Sequence, residues 1–355
     1  MASIQSVEPS TYEALAAYLS SSDSTTGPPD VVHKWFRLWW DDNPAFRAEM
    51  KRGYILAHHD KIVGFVGNVP SLLQLDGETA TVFSATTWRI LPEYRSQSMG
   101  LIFQWTALGR SAVLFATTPS ADVTRILQGL HFRLLPPAQN RKTSVLVLNS
   151  QRVVAAWGGD TGLAEIAAWC CSPAISQLQR LLIRKVRAAD PAPVQCFDRA
   201  DARFDELWER TKHLYLNTNI RTSSWINWYC FQYPHTDKVL LGHVTKDRLH
   251  GYVICQPRKH EKLNLLECAD SWIEPGNSPA RFSLLHAIEM YARKEKYDLV
   301  MFPHFTNAYG AELEAVGFFT REVKVKTNYF KTPAKVDVRE DNSYFVRAQG
   351  DYGLV

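Results

Sequence analysis

The alternation of apolar and polar residues predicts an ordered series of elements in the first part of the chain. Segments 53–59 and 62–66 alternate around a short polar turn, which is typical of a β-hairpin. A longer strand is predicted over 82–90, and helical spacing of apolar residues begins at Met99. The same reasoning predicts a buried strand, a helix and a last strand at 112–116, 119–130 and 133–135.

Further elements flank this unit. Residues 10–19 and 31–40 have helical spacing, and the second of these segments is closed by the polar run Asp41-Asp42-Asn43-Pro44. A strand is predicted over 143–148, and two helical patterns follow within 150–190. The proline-rich run that begins at Asp190 favours a linker.

The same order of elements then begins again. Apolar and aromatic landmarks recur after 183 to 190 residues, always in the same sequence: Trp39 and Trp228, Pro44 and Pro234, Gly64 and Gly251, Pro92 and Pro275, Phe132 and Phe318. Self-similarity at a nearly constant offset indicates duplication of one structural unit. The long strand of the second unit is predicted over 263–273.

Composition narrows the class of protein. The 355 residues are 46% hydrophobic and 21% charged, which is typical of a folded globular chain long enough for two domains. A net charge of +4 over this length argues against a protein that mainly wraps nucleic acid. No apolar run is long enough to span a bilayer, and the N-terminus lacks the pattern of a signal peptide. The six cysteines form no Cys-x-x-Cys pair, so we expect reduced thiols, no metal site and a cytoplasmic protein.

The junction at 88–101 carries the most specific chemistry. A strand that ends in a loop feeding a helix leaves the first N–H groups of that helix unpaired. These amides and the positive end of the helix dipole favour an anion, typically a phosphate. Small residues in the loop allow a close approach, and Arg95 adds a formal charge.

This junction resembles the acyl-CoA-binding loop of the GNAT acyltransferase superfamily, whose pattern is Arg/Gln-x-x-Gly-x-Gly/Ala. Here the pattern is Arg95-Ser96-Gln97-Ser98-Met99-Gly100, with Ser98 in place of the first glycine. The order of elements over 53–135 is also that of the superfamily. The resemblance implies acetyl-CoA or another acyl-CoA as co-substrate, bound by Trp88, Arg89, Ile90, Arg95, Ser96, Gln97, Ser98, Met99, Gly100 and Leu101.

The resulting fold class is α/β (α+β), with two tandem GNAT-like domains. Each is expected to contain a mixed, mostly antiparallel, twisted sheet flanked by helices. We predict an acyl-CoA-binding domain over 1–150, a helical connector over 151–192, a degenerate domain on the acceptor side over 193–335, and a tail over 336–355. The second unit has Pro279 where the first has a free amide, so it is not expected to bind CoA.

Acyl transfer also needs groups that activate the amine and protonate the leaving thiolate. Candidate catalytic residues are Asp42 after the second helix, Ser120 at the position of the superfamily's helical Asn, and Glu267 and Asp270 on the long strand of the second unit. Strand alternation places Glu267 and Asp270 on opposite faces. Asn43, Tyr215 and Arg221 are candidates for binding the acceptor. The superfamily's acidic Tyr falls at Leu127, which cannot donate a proton.

We therefore expect an acyl-CoA-dependent N-acyltransferase that acts on the amine of a small acceptor. The resemblance to bacterial enzymes that acylate nucleotide-linked amino sugars suggests one such acceptor. Two alternatives stay open: a tandem-GNAT transferase that uses aminoacyl-tRNA, and a non-catalytic acyl-CoA-binding protein. Under the first interpretation the partner is a small-molecule amine, and no nucleic acid or membrane is involved.

Overall fold

In a computed structural model, the chain is described over residues 2–23, 26–117, 119–135, 142–157, 162–232, 237–260, 262–323 and 328–346, with side chains omitted for 157 and 162–171. Pro234, one of the landmarks of the repeat, and the last nine residues of the predicted tail lie outside these ranges. The described part forms two mixed sheets flanked by helices.

The bounds of the elements follow the predicted order. The strands are β1 Ser3–Ser6, β2 Gly53–His58, β3 Lys61–Leu75, β4 Glu78–Ile90, β5 Val113–Ala116, β6 Arg133–Leu134, β7 Lys142–Val147, β8 Val194–Phe197, β9 Asn217–Asn219, β10 Val239–Thr245, β11 Arg248–His260, β12 Leu263–Ile273, β13 Leu299–Pro303, β14 Phe319–Glu322, β15 Tyr329–Lys331 and β16 Ser343–Tyr344. The helices are α1 Tyr12–Ser22, α2 Pro29–Phe36, α3 Ser98–Ala107, α4 Ala121–Gly129, α5 Ser150–Trp157, α6 Gly162–Leu182, α7 Arg184–Arg187, α8 Ala202–Thr211, α9 Ser223–Phe231, α10 Ser278–Lys294 and α11 Asn307–Ala315. A π-helical turn at Arg37–Asp41 extends α2, and 3₁₀ turns lie at Pro9–Thr11, Pro92–Gln97, Leu108–Arg110 and Lys212–Leu214.

The two sheets repeat one topology. In the first sheet the strand order is β1-β2-β3-β4-β5-β15-β6, with β9 beside β3 and β16 beside β9. In the second sheet the order is β14-β7-β13-β12-β11-β10-β8. Neighbours are antiparallel except for β4 with β5, β12 with β13, and β9 with β16. The predicted pair of mixed, mostly antiparallel sheets is confirmed.

The sheets exchange strands. Strand β7 leaves the first unit and inserts between β13 and β14 of the second sheet, while β15 returns from the second unit and inserts between β5 and β6 of the first. The predicted division at residue 150 therefore does not follow the sheets. A strand at a sheet edge has unpaired N–H and C=O groups, and the exchange pairs those of β7 and β15 on both sides.

The helices of the two halves share one apolar core. Trp39 and Trp40 in the π-helical turn are completely buried. The indole N–H of Trp228 on α9 donates to the main-chain carbonyl of Leu38 at 2.7 Å, which joins the two repeated Trp-rich helices directly. Because buried indole N–H groups need an acceptor, this contact fixes how the halves pack.

Helix α3 is held firmly on the first sheet. Its side chains Leu101, Ile102 and Trp105 are buried, and the ring of Trp105 stacks on that of Phe132 at 5.8 Å. This packing fixes the start of α3 at the end of β4. The fold thus presents the predicted junction as a rigid strand–turn–helix unit.

Candidate acyl-CoA site

Strand β4 has an open edge beyond the point where the neighbouring strand β5 diverges from it. Within the described residues, β5 pairs with β4 only along Val82–Ser84, so the two parallel strands separate beyond this point. The N–H of Leu91 donates to the Val63 carbonyl at 2.9 Å, toward β3. Because main-chain groups alternate in direction along a strand, those of Trp88 and Ile90 point to the opposite, open edge.

A β-bulge produces this separation. Phe65 is opposite Arg89 but Gly67 is opposite Thr86, so β4 contains one extra residue between these pairs. Thr87, in the bulge, has a positive φ of 51°. A β-branched residue in this region is strained by roughly 1–2 kcal/mol, and such strain is concentrated at functional sites.

No side chain caps the start of α3, but the N–H of Ser98, its first residue, donates to the carbonyl of Arg95 in the preceding 3₁₀ turn. Gln97 caps the helix without a side-chain hydrogen bond, and the fully described first turn contains no acidic residue. Ser98 and Met99 are partly exposed, and Arg95 in the preceding 3₁₀ turn is exposed. Because the 3₁₀ turn Pro92–Gln97 continues directly into α3, the N–H of Ser98 already has a partner, and an anion here would meet the positive end of the helix dipole and the side chain of Arg95.

Two of the predicted CoA-binding residues, Arg89 and Leu101, have side chains that are engaged elsewhere, and Gly100 lies against strand β1. The guanidinium of Arg89 pairs with Asp23 at 2.9 Å and also contacts Thr26. The side chain of Leu101 is buried. A Cβ at Gly100 would lie 2.7 Å from Cδ1 of Ile4, so this glycine accommodates strand β1 rather than opening space for a diphosphate. Arg89 and Leu101 could contribute only main-chain groups to the site.

The equivalent edge in the second half is closed. The N–H of Glu274 donates to the His250 carbonyl at 2.9 Å, as Leu91 does to Val63, so Ser271 corresponds to Trp88. The carbonyl of Ser271 accepts a 2.6 Å hydrogen bond from the hydroxyl of Tyr344. A group from the C-terminal segment therefore occupies the main-chain edge that stays open on β4.

Two further differences separate the halves. Tyr309, one turn into α11, is buried against β12, and burial raises the pKa of its hydroxyl well above the usual value. At the repeat offset of Phe132 and Phe318 its counterpart is Val123, a much smaller side chain.

The start of α10 is capped by the side chain of Asn277, which accepts from the N–H of Ala280 at 3.1 Å. A cavity of about 330 Å³ remains beside these residues, lined partly by Tyr215, Arg281, Thr306 and Glu312.

Solved structures with the same arrangement identify the fold. The chain superposes on a GCN5-related N-acetyltransferase from Anabaena variabilis with a TM-score of 0.62 and 12% identity over 94% of this chain and 73% of that one. A probable N-acyltransferase from Enterococcus faecalis gives 0.58 and 9% identity over 93% and 72%. The Saccharomyces cerevisiae N-myristoyltransferase, solved with bound myristoyl-CoA, gives 0.55 and 11% identity over 100% and 89%. The chain has the GNAT fold. No protein-family model matches it, and no curated protein matches it in sequence.

The bulge in the second GNAT half corrects one prediction. Ile254 is opposite Asp270 but Cys255 is opposite Cys268, so Ala269 is the extra residue of β12. This residue shifts the alternation by one place. Glu267 and Asp270 therefore lie on the same face of the sheet, and the prediction that they lie on opposite faces is wrong.

Asp270 and Arg221 form a sealed ion pair in the second GNAT half. Both side chains are completely buried, with Arg221 Nε 3.1 Å from Asp270 Oδ2. The hydroxyl of Tyr252 donates to the same carboxylate at 2.9 Å, and the guanidinium lies 4.0 Å from the ring centroid of Trp272. A carboxylate held this way cannot meet an acceptor arriving from solvent, so Asp270 is structural. Because Arg221 is equally buried, its side chain is not accessible to an acceptor either.

Glu267 belongs to a second buried polar group. Its Oε2 accepts from Gln256 at 3.3 Å and from Arg258 at 3.2 Å. Lys238, directly before β10, is 8% exposed, and burial lowers the pKa of its ammonium to about 8. Its Nζ lies 4.4 Å from the ring centroid of Tyr229. The contacts of Glu267 are those of a structural carboxylate.

The remaining predicted residues are distributed over several places. Asp42 ends the π-helical turn and pairs with Arg37 at 3.2 Å. Asn43 is buried, and its amide nitrogen donates to the carbonyls of Trp39 and Pro70 at 2.9 Å each, which makes it a structural link to β3. Ser120 caps α4 by accepting from the Val123 N–H at 3.3 Å.

Tyr215 is the predicted acceptor-binding residue that lines a cavity. It borders the 330 Å³ space of the second half, and burial raises the pKa of its hydroxyl. Its ring centroid is 5.1 Å from that of Tyr344. The structure brings Tyr215, Arg221 and Asp270 together around Trp272, but at the second half and not at the open edge of β4.

Sequence reasoning missed three residues that shape the two GNAT clefts. Thr87 gives no signal, because a β-branched residue is not expected at positive φ. Tyr344 lies in a segment treated as a tail. Tyr309 could have been found by comparing positions 186 residues apart, where a tyrosine replaces Val123.

The described residues provide neither a metal site nor a membrane-spanning helix. Among them, no group of three or more metal-ligating side chains is placed to hold an ion. Within the same ranges, no helix combines the length and the apolar character needed to cross a membrane.

Proposed function

We propose that the chain is an acyl-CoA-dependent N-acyltransferase whose first half binds the acyl-CoA. The observation that carries this proposal is the contrast between the halves. The edge of β4 at Trp88 is open and the start of α3 is uncapped, whereas Tyr344 and Asn277 occupy the same positions in the second half. A fold that encloses acyl-CoA needs one such edge and one such helix start.

Each part of the cofactor has a matching group. The diphosphate would bind at the start of α3, among residues Gln97 to Leu101, where the helix dipole favours an anion and Arg95 adds charge. The pantetheine amides would pair with the main chain of Trp88 and Ile90 at the open edge. The thioester carbonyl would then lie near the bulge, where a fixed N–H can stabilise the developing oxyanion. The myristoyl-CoA bound by the structurally similar S. cerevisiae N-myristoyltransferase supports a long acyl chain as one candidate.

The chemical step is direct attack of a neutral amine on the thioester carbonyl. A C–N bond forms, the C–S bond breaks, and the proton lost by the amine passes to water or to the departing thiolate. Leu127 is buried at the position of the superfamily's acidic Tyr, so this residue supplies no proton. A thiolate is a good leaving group because its thiol is fairly acidic, and it can depart without a dedicated acid.

The proposed acceptor is a small molecule with a primary amine. A nucleotide-linked amino sugar is the first class to test, since a pair of GNAT-like halves with one competent half resembles bacterial enzymes acting on such substrates. The retained diphosphate site favours a CoA thioester over aminoacyl-tRNA as acyl donor. A non-catalytic acyl-CoA-binding protein is the alternative suggested by Leu127.

A matched pair of serines tests the cofactor site. Ser98 is the first residue of α3 and Ser278 the first residue of α10, at equivalent places in the two halves. We expect Ser98→Asp to weaken acyl-CoA binding on the order of tenfold or more, because its carboxylate would face the diphosphate. Ser278→Asp, at an exposed position, should leave binding unchanged.

Calorimetric titration with acetyl-CoA and myristoyl-CoA measures both variants, and thermal unfolding confirms that they fold. Equal affinities for the two variants would reject the first half as the site. Release of CoA thiol that requires an added amine would establish transfer, whereas tight binding without release would favour the non-catalytic alternative. Binding of aminoacyl-tRNA without any affinity for acyl-CoA would favour the aminoacyl-tRNA-dependent transferase.

A further inference from the structure

Helix α6 ends in an apolar surface that the described part of the chain contacts at Leu182, whose Cβ and main chain pack against Gly317. Leu178, Leu181 and Leu182 are 50%, 68% and 42% exposed, and they lie within five residues of one another. We call these three residues the α6 leucine face. Single exposed leucines are common on protein surfaces, but three adjacent ones on one helix mark an interaction site.

The same segment is strongly basic. From Ser172 to Ala188 there is no Asp or Glu. Arg180, Arg184 and Lys185 are exposed and form no ion pair or hydrogen bond with the described residues. Arg187, in contrast, is paired with the buried Glu289. These cations lie at the end of α6, in the case of Arg180, and at the start of α7, in the case of Arg184 and Lys185.

Helical geometry separates the exposed and buried sides. At about 100° per residue along α6, Leu178 and Leu181 lie about 60° apart on one side, and Arg180 lies at the edge of that side. Ile183 separates α6 from α7, which carries Arg184 and Lys185 directly beyond the leucines. Gln179 faces the opposite way and is buried. Its side chain bonds both the N–H and the carbonyl of Val147 on β7, at 2.8 and 2.7 Å. This double contact fixes the outward direction of the leucines.

A basic groove runs beside this surface. It has a volume of about 870 Å³ and lies between α5, α6 and the end of α10. Arg152, Arg180, Arg293 and Lys296 are among its lining residues. The carboxylate in the lining, Asp298, is already paired with Arg152 at 3.0 Å. The groove adds positive charge next to the leucine face.

We propose that the α6 leucine face docks on an anionic lipid membrane, with its leucines inserted between lipids and the neighbouring cations among the headgroups. Exposed leucines flanked by Arg and Lys are the composition of helices that lie in a membrane interface. A second copy of the chain fits less well, because a symmetric contact would bring Arg180 and Arg184 against their own equivalents. A protein partner would need a concave apolar surface, whereas a bilayer accepts protruding side chains directly.

This inference does not rest on acyl transfer, and it differs from the expectation that no membrane is involved. That expectation concerned a segment long enough to span the bilayer, which docking does not require. The contact would hold the enzyme at the surface by one helix and leave the open edge of β4 unaffected. Apolar and electrostatic interactions would both contribute to binding, so substitutions of the leucines and of the arginines test the two contributions separately.

Vesicle co-sedimentation of the full chain tests the proposal. We expect binding to vesicles containing phosphatidylglycerol and little binding to pure phosphatidylcholine. Leu178→Ser with Leu181→Ser should lower the partition coefficient on the order of tenfold. Arg180→Glu with Arg184→Glu should lower it by about fivefold or more per residue, and added salt should act in the same direction.

A matched control replaces exposed leucines elsewhere. Leu214→Ser with Leu216→Ser changes residues that are 37% and 48% exposed near the second-half cavity, and it should not alter binding. Equal binding of all three double variants would overturn the proposal. Equal binding of the wild type to neutral and to anionic vesicles would also overturn it. So would light scattering that shows a dimer abolished by the Leu178 and Leu181 changes. Thermal unfolding of each variant ensures that lost binding is not lost folding.

Discussion

The hydroxyl of Tyr344 donates a 2.6 Å hydrogen bond to the main-chain carbonyl of Ser271. Ser271 occupies on β12 the place that Trp88 occupies on β4, as the bonds of Glu274 and Leu91 to the preceding strands show. In one half this edge is closed by the chain's own C-terminal segment, and in the other no strand of the described residues pairs with it beyond Ser84. The duplicated fold has therefore kept one cleft of this kind and closed the other.

We predict a single acyl-CoA site per chain. Calorimetric titration should give a stoichiometry near one for the wild type and for Tyr344→Phe. The substitution removes the bond to Ser271 and should lower the free energy of unfolding by about 1 kcal/mol. The ring would still pack against Trp272 beside this edge, so a second equivalent of acyl-CoA bound by either protein would contradict the assignment.

The Arg221–Asp270 pair should be important for stability and not for chemistry. Asp270→Asn leaves the guanidinium of Arg221 buried without its counter-ion, and we expect a loss of about 3–5 kcal/mol in the free energy of unfolding. Asp42→Asn, which breaks the more exposed pair with Arg37, should cost less than about 1 kcal/mol. Urea unfolding measures both.

Combining Arg221→Met with Asp270→Leu removes both charges and should recover much of that stability. An Asp270→Asn protein that unfolds like the wild type but has lost transferase activity would instead identify Asp270 as a catalytic residue.

The strand exchange makes the first sheet depend on a strand from the second unit. Phe330 on β15 is 3% exposed and packs in the core of the first sheet. Phe330→Ala should lower the free energy of unfolding by about 3–5 kcal/mol. Amide hydrogens of β5, which pairs with β15, should exchange faster in this variant.

Phe103→Ala is the control for this prediction, because Phe103 is 52% exposed on α3 and should cost less than about 0.5 kcal/mol. Unchanged exchange along β5 in a Phe330→Ala protein would mean that β15 does not support the first sheet in solution.

Lys238 should make stability depend on pH in the alkaline range. Its pKa is lowered by burial to about 8 in the folded chain, against about 10.4 when unfolded. Between these values the unfolded state binds more protons, so the free energy of unfolding rises with pH. The full effect is at most about 3 kcal/mol.

Lys238→Met lacks this titration. As pH rises from 7.5 to about 9.5, the free energy of unfolding of the wild type should therefore rise relative to that of the variant. Urea unfolding at a series of pH values measures it. A difference that stays constant over this range would show that Lys238 is protonated throughout, held by contacts such as that with the Tyr229 ring.

Much of the architecture could be predicted because it rests on local patterns. The alternation over 82–90, the small-residue loop and the apolar helix from Met99 gave β4, the 3₁₀ turn and α3 in the right order. The offsets of Trp39 and Phe132 to their counterparts revealed the duplication. The roles of Glu267 and Asp270 could not be predicted, because one extra residue at Ala269 reverses the side to which every following side chain points.

By itself, the sequence determined most of the elements and their repetition, since periodicity and turn chemistry act over a few residues. Only the tertiary structure decided which strands pair across the two units, that Thr87 is strained, and that Tyr309 and Tyr344 close the second cleft. These features depend on contacts between residues far apart in the chain. Their physical basis is the pairing of strand edges and the filling of space, which no local pattern records.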